Sequence, residues 1–113
     1  MRVLVCGGRD YDDYKVMDAC LTAKQIAVPF TLIIHGAARG ADQMADAYAK
    51  HHNIPVMAFP ANWKRDGKSA GPIRNKRMLV DGQPDLVMAF PGGRGTANMV
   101  KQARDAGVSV WVF

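Results

Sequence analysis

Short apolar runs alternate with amphipathic stretches along this chain of 113 residues. The apolar runs are typical of strands that are buried on both faces of a parallel sheet. They cover residues 3–6, 30–34, 54–59, 86–90 and 108–113. Pro55 lies near the start of the third run and favours an edge position for that strand, because proline has no N–H to donate to a neighbour.

Between these runs, apolar residues recur at the spacing of amphipathic helices. The four stripes are Val16, Met17, Cys20 and Leu21; Met44, Ala45, Tyr48 and Ala49; Ile73, Met78 and Leu79; and Val100, Ala103 and Ala106. Asp12 or Asp13 is placed to cap the first helix. The third helix opens at Gly71-Pro72. Gly107 is expected to end the last helix, over residues 97–106.

This alternation predicts a single α/β domain over residues 1–113. We expect a Rossmann-like, three-layer domain in which a five-stranded parallel sheet is covered by helices on both faces. The most economical strand order is 3-2-1-4-5. In such a sheet, ligands bind at the carboxyl ends of the strands where the order reverses, which here is between the first and fourth strands.

Three of the predicted strands end in turns that contain glycine, at residues 7–8, 35–42 and 91–96. Because the carboxyl ends of parallel strands meet at one edge, we expect the three turns to converge on one pocket. Glycine lets the backbone approach a ligand closely, and the following helix N-terminus offers N–H groups to an anion such as phosphate. Thr96 is placed to cap the last helix and to donate its hydroxyl to the same ligand. For each of the three turns, the alternative is a structural turn that binds no ligand.

The candidate ligand- and phosphate-binding residues lie in these turns or at the start of the third helix. They are Gly7, Gly8, Arg9, Gly36, Arg39, Gly40, Arg74, Asn75, Pro91, Gly92, Gly93, Arg94, Gly95 and Thr96. Arg39 and Asp42 either pair with each other or face the ligand. His35 is expected to finish its strand and make an ordinary hydrogen bond, with a catalytic role as the alternative.

Charge and composition narrow the choice of partner. The net charge is +5 and the isoelectric point is about 9.5, which favours anionic partners such as nucleotides, nucleic acids or acidic surfaces. No apolar run approaches the length of about 18 residues that spans a membrane, and no export signal is visible, so we expect a cytoplasmic protein with no membrane partner. Cys6 and Cys20 are unclustered, which favours buried thiols over a metal site and leaves a disulfide open.

Familiar cofactor motifs are missing from the glycine turns. None spells the G-x-G-x-x-G of dinucleotide sites or the lysine-containing Walker A motif. We therefore expect no cofactor of the NAD(P) or ATP type and no bound metal.

A polar stretch at residues 60–70 is predicted to be a long loop. Trp63 in this loop either stacks on a base or pins the loop to the body of the protein. Basic residues surround it and continue into the third helix: Lys64, Arg65, Lys68, Arg74, Lys76 and Arg77. They support single-stranded nucleic-acid binding as one alternative and a solvated surface as another.

The segment Pro91-Gly92-Gly93-Arg94-Gly95-Thr96 resembles the PGGxGT signature of the SLOG superfamily. That superfamily includes the LOG-type phosphoribohydrolases and DNA-processing proteins of the DprA type. Residues 7–10, 35–42 and 71–75 look most like the small YspA-related branch. The resemblance covers nearly the whole chain and implies a nucleotide or nucleotide-derived ligand, bound by a sensor or carrier. It also implies a homodimer or higher homo-oligomer, since LOG-type relatives commonly form dimers.

The catalytic part of the resemblance is altered. LOG-type enzymes carry a glutamate three residues after the threonine of PGGxGT, where this chain has Met99, whose thioether cannot transfer a proton. Arg74 fits their second element, an arginine that suits a phosphate. Cleavage of the N-glycosidic bond of a nucleoside monophosphate is therefore the alternative function, with Asp42 and Asp10 as candidate catalytic acids.

Overall fold

Five parallel strands form the centre of the fold in the computed structural model, which describes residues 1–113. They are β1 (Arg2–Cys6), β2 (Leu32–His35), β3 (Val56–Ala58), β4 (Leu86–Ala89) and β5 (Ser109–Val112). Their order in the sheet is β3-β2-β1-β4-β5, which confirms the predicted order and the edge position of the strand that follows Pro55. The sheet order therefore reverses between β1 and β4, which pair from Val3↔Leu86 to Cys6↔Ala89.

Helices cover both faces of this sheet. They are α1 (Tyr14–Ala27), α2 (Ala41–His51), α3 (Trp63–Asp66), α4 (Ala70–Val80) and α5 (Arg94–Asp105), with a 3-10 turn at Gly67–Ser69. Side chains alternate along β1, so that Val3 and Val5 pack with α1 and α2, whereas Leu4 packs with α4 and α5. The predicted three-layer domain is confirmed. None of its helices has the length and apolar character that crossing a bilayer requires.

Two of the predicted helix ends are confirmed. The Asp13 side chain caps α1 by accepting the N–H of Val16 at 3.2 Å. After α5, Gly107 adopts a left-handed conformation with φ of 76°. The N–H groups of Gly107 and Val108 donate to the last turn of that helix, in the pattern that makes glycine favourable at this position.

Other sequence predictions need correction. Residues 60–70 are not one loop, because Asn62 caps the short helix α3 by accepting the Arg65 N–H at 3.0 Å. The last helix begins at Arg94 with Gly93 as its N-cap, so Thr96 lies inside the first turn and does not cap it. The apolar stripes are also narrower than predicted. Val16 and Ile73 are exposed, and Ala106 is exposed because it lies beyond α5 as its C-cap.

Candidate functional site

A cavity of about 660 Å³ lies at the carboxyl ends of β1 and β4. Its walls come from the loop after β1, the start of α4 and the first turn of α5, with contributions from α2 and α3. The candidate residues that line it are Gly7, Gly8, Arg9, Asp42, Arg74, Asn75, Gly93, Arg94, Gly95 and Thr96. The structure therefore brings together residues from four separate parts of the chain.

Six candidates lie outside this lining: Asp10, Gly36, Arg39, Gly40, Pro91 and Gly92. Asp10 and Arg39 form an exposed ion pair with an N–O distance of 3.4 Å. Arg39 therefore pairs with Asp10 and not with Asp42, and both side chains of the pair are largely exposed. The Gly36 carbonyl contributes indirectly, by accepting a hydrogen bond from Arg74.

The glycines around the cavity are of two kinds. Gly8 packs so closely on the turn after β4 that a Cβ atom there would come within 3.0 Å of the Pro91 carbonyl oxygen. Gly40 has a φ of 76° and a Cβ atom there would overlap the backbone of the loop after β1. At Gly93 and Gly95, by contrast, a Cβ atom would have no atom within 4 Å apart from those of adjoining residues and the helix's own backbone, and neither residue has a positive φ. The fold itself therefore does not require glycine at these two positions, which both face the cavity.

The N-terminus of α5 contributes to the same wall. Its N-cap, Gly93, has no side chain, and no other side chain caps the helix. The first N–H groups of a helix have no partner within the helix, and the helix dipole places partial positive charge there. Residues 93–96 form part of the cavity lining, so this end of α5 presents an electropositive backbone surface to the cavity.

Arg74 is held in place by two hydrogen bonds. Its guanidinium donates to the Gly36 carbonyl oxygen and, through Nε, to Asn75 Oδ1 at 3.0 Å. Burial lowers the pKa of Arg74 and the nearby Asp42 carboxylate opposes that shift, but an arginine remains charged at neutral pH. The cavity wall thus carries a partly buried, oriented positive charge.

Asn75 connects this arginine to α5. The side chain is only 3% exposed, and its Nδ2 donates to the Gly95 carbonyl oxygen at 3.2 Å and to Asn98 Oδ1 at 3.1 Å. Asn98 in turn accepts from Gln102 at 2.7 Å. Both N–H groups of the Asn75 amide are therefore used within the protein, and the amide holds Arg74 and the first turn of α5 in a common network.

Asp42 is the acidic side chain in the cavity lining. Its Oδ2 accepts the N–H of Ala38 at 3.2 Å. Burial raises the pKa of Asp42, against smaller opposing effects of that hydrogen bond, His35 and Arg74. Beside it, burial and the Asp42 charge raise the pKa of Cys6 to about 12, which keeps the thiol protonated and a poor nucleophile. Cys6 and Cys20 are both free thiols.

His35 makes ordinary hydrogen bonds, as predicted. Its Nε2 lies 2.9 Å from Asp46 Oδ1, and its Nδ1 accepts the N–H of Ala37 at 3.0 Å. The residue is buried and does not line the cavity. These contacts anchor the loop that carries Ala38 toward Asp42.

Met99 lines the cavity and also belongs to the hydrophobic core between the sheet and the helices α4 and α5, with 1% of its surface exposed. No carboxylate stands at this position of α5. An acid that acted in this cavity would have to come from another element, and Asp42 at the start of α2 is the carboxylate in the lining.

Several lining residues are not among those predicted to bind the ligand: Cys6, Ala38, Gly71 and Asn98. Trp63 and Lys68 also line the cavity; the sequence indicates them only as a base-stacking residue and a member of a basic set, within a segment predicted to be a loop. The cavity lining contains four basic side chains and one acidic side chain: Arg9, Lys68, Arg74, Arg94 and Asp42. This balance favours an anionic ligand.

Comparison with known proteins agrees with the predicted relationship. The sequence model described as "YspA, cpYpsA-related SLOG family" matches residues 1–65. The chain is also similar to the "Gene 61 protein" of Mycobacterium phage D29, with 36% identity over 120 residues that cover 99% of this chain and 95% of that protein. The part of this chain that the family model matches includes the turns after β1 and β2 and ends before the PGGxGT-like segment.

Proposed function

The chain belongs to the YspA, cpYpsA-related SLOG family, and we propose that it binds a nucleotide or nucleotide-derived ligand in the cavity between β1 and β4. The observation that carries this proposal is the pair of glycines in the first turn of α5. Gly93 and Gly95 line the cavity, and no atom of another part of the chain lies within 4 Å of a Cβ atom placed at either. Packing within the protein does not explain glycine at these two positions. Close approach of a phosphate to the backbone would explain it.

The phosphate is expected at the N-terminus of α5, where backbone N–H groups and Thr96 can donate to its oxygens. Arg74 adds a charge-assisted hydrogen bond from α4. Gly7, Gly8 and Arg9 form the wall that belongs to β1. This arrangement is suited to a sensor or carrier, because it offers oriented donors for binding and only one buried carboxylate.

Hydrolysis of an N-glycosidic bond is a second candidate, and Asp42 is the observation that favours it. A carboxyl group whose pKa is raised by burial retains a proton to higher pH, which is the property of a general acid. Asp10 is exposed, paired with Arg39 and outside the lining, so it gives this candidate little support. An enzyme of this kind would lose turnover in Asp42→Asn while it retained ligand binding.

Single-stranded nucleic-acid binding has weaker support. Arg65 pairs with Asp66 at 2.9 Å, and the Arg77 guanidinium lies 5.6 Å from the centre of the Phe59 ring. Only Lys68 and Arg74 of the predicted basic set line the cavity. A nucleic acid would lose affinity steeply with salt, whereas a mononucleotide would show a shallow dependence.

The proposal is tested by a thermal-shift screen of the purified protein against nucleoside monophosphates, ADP-ribose and NAD. Mass spectrometry would check each incubation for released base. We expect a stabilising ligand that stays intact, which supports a sensor or carrier. Released base that disappears in Asp42→Asn would instead establish the hydrolase, and no stabilisation by any phosphorylated compound would contradict both.

A further inference from the structure

Trp63 lies in the cavity wall at the start of α3. Half of its surface is exposed. A tryptophan that pinned this segment to the core would be largely buried, whereas neither of the two hydrophobic core clusters includes Trp63. Trp111 is also 45% exposed, so the feature that distinguishes Trp63 is its place in the cavity lining.

The backbone around Trp63 fixes where its ring lies. Asn62 caps α3, and Gly71 in α4 approaches the ring, so that a Cβ atom there would lie 3.7 Å from Cη2 of the indole. Gly71 also belongs to the cavity lining. The indole thus lies against the start of α4, the same helix that supplies Arg74.

Arg9 contacts the indole from the loop after β1. Its guanidinium carbon lies 5.3 Å from the centre of the Trp63 ring. No carboxylate forms an ion pair with Arg9, and its side chain is exposed. The contact is a cation–π interaction at a solvent-exposed site, which is weak, so Arg9 can leave the ring at small cost.

We infer that Trp63 and Arg9 form an aromatic subsite for the base of a nucleoside phosphate. This inference rests on the proposed function. It adds a contact for the base, which Arg74 and the N-terminus of α5 do not recognise. A planar base stacks on the indole face, and Arg9 moves outward to cover the other face of the base. A base between the two groups needs about 7 Å, which is two van der Waals contacts of about 3.5 Å. Arg9 therefore shifts by roughly 2 Å.

This subsite selects for a class of ligand. Stacking on an aromatic ring tolerates any base, because every base has a π-face. A sugar phosphate without a base would meet the α5 N-terminus and Arg74 but would leave Trp63 unused. The cavity should therefore prefer nucleoside phosphates to ribose 5-phosphate and discriminate only weakly among the bases through this contact.

The chain has two tryptophans, which makes a direct test possible. Trp111 lies on the edge strand β5, outside the cavity lining. Trp111→Phe leaves Trp63 as the sole tryptophan fluorophore. In this variant we expect the four ribonucleoside 5′-monophosphates to quench the fluorescence on binding and ribose 5-phosphate to leave it nearly unchanged.

The matched variants Trp63→Ala and Trp63→Phe, made in the natural sequence, test the energetics by calorimetry. Trp63→Ala should weaken monophosphate binding by about 5- to 150-fold, the range known for loss of a base–aromatic stack, and should leave ribose 5-phosphate affinity within about twofold. Trp63→Phe should recover part of the loss.

Three results would overturn this inference, and the third is distinguishable from the other two. Binding of monophosphates without quenching of Trp63, or equal losses for monophosphates and ribose 5-phosphate in Trp63→Ala, would remove the base subsite and leave the phosphate site standing. If none of these compounds binds the natural protein, the proposed function fails and the base subsite fails with it.

Discussion

The two walls of the cavity differ in how they are held. The wall formed by α4 and α5 is built on Asn75, whose buried amide connects Arg74 to the backbone of α5. The wall formed by Trp63 and Arg9 is exposed, and Arg9 is held there by a cation–π contact with an indole that lies against Gly71. An oriented charge beside a helix N-terminus is suited to phosphate, which requires fixed donors. An aromatic ring that is covered only by a weakly held arginine is suited to a flat group, because the arginine can move aside when the group enters.

This contrast predicts that changes in the α4–α5 wall alter stability or phosphate binding. Changes in the Trp63 wall should alter binding of the base alone. The variants below test that division, in descending order of expected effect.

Gly93→Val should abolish binding of nucleoside monophosphates, a loss of more than about 100-fold, because the branched side chain would occupy the space expected for phosphate. The fold should persist, since a Cβ atom at this position would have no atom from another part of the chain within 4 Å. Calorimetry measures the loss of binding and a thermal melt measures the fold. Ala97→Val places the same side chain on the exposed part of α5 outside the cavity lining and serves as the control. Unchanged affinity in a folded Gly93→Val protein would contradict the phosphate site.

Asn75→Leu should lower the free energy of unfolding by about 2–4 kcal/mol. The substitution removes three hydrogen bonds of the Asn75 side chain, to Arg74 Nε, the Gly95 carbonyl and Asn98, and each contributes about 0.5–1.5 kcal/mol. Urea denaturation measures the change. Trp63→Ala is the comparison from the other wall, with an expected change below about 1 kcal/mol, because surface residues rarely contribute more. Equal destabilisation by the two variants would erase the contrast between the walls.

Arg74→Ala should weaken binding of a nucleoside monophosphate by about 10- to 100-fold, as expected for loss of a charged hydrogen bond of about 1.5–3 kcal/mol. Binding of the free nucleoside should change little, because it lacks the phosphate. Calorimetric titration with both ligands gives the comparison, and Lys76→Ala, an exposed change on the same helix, is the control. Equal losses for the two ligands would place Arg74 away from the phosphate.

Gly95→Ala should have the smallest effect on the fold, and in the favourable direction. Gly95 lies in the first turn of α5, where alanine stabilises a helix by up to about 1 kcal/mol relative to glycine. A Cβ atom at this position would have no atom from another part of the chain within 4 Å. We expect a higher melting temperature together with weaker binding of nucleoside monophosphates. A rise in stability with no loss of affinity would show that the phosphate does not approach this part of the backbone.

Much of the architecture was predictable because it depends on local patterns. Apolar runs and helical stripes located the five strands and the four longer helices, and the alternation of the two led to the strand order that the structure confirms. The short helix α3 was missed, since its four residues are too few for a hydrophobic stripe and Asn62 was the only local signal of its start. The helix α5 begins three residues earlier than the sequence predicts. The glycines at 92, 93 and 95 predict a turn that lasts to Thr96, whereas the helix begins at Arg94.

The sequence by itself determined the family, the three-layer domain, the order of its strands and the edge of the sheet at which the glycine turns meet. Only the tertiary structure decided which glycines the fold requires and which face open space, because that depends on atoms from distant parts of the chain. It also decided that the Asn75 amide donates to Gly95 and Asn98, that Arg39 pairs with Asp10, and that Trp63 lines the cavity. Local periodicity specifies which face of an element is buried, but only packing specifies which side chains meet.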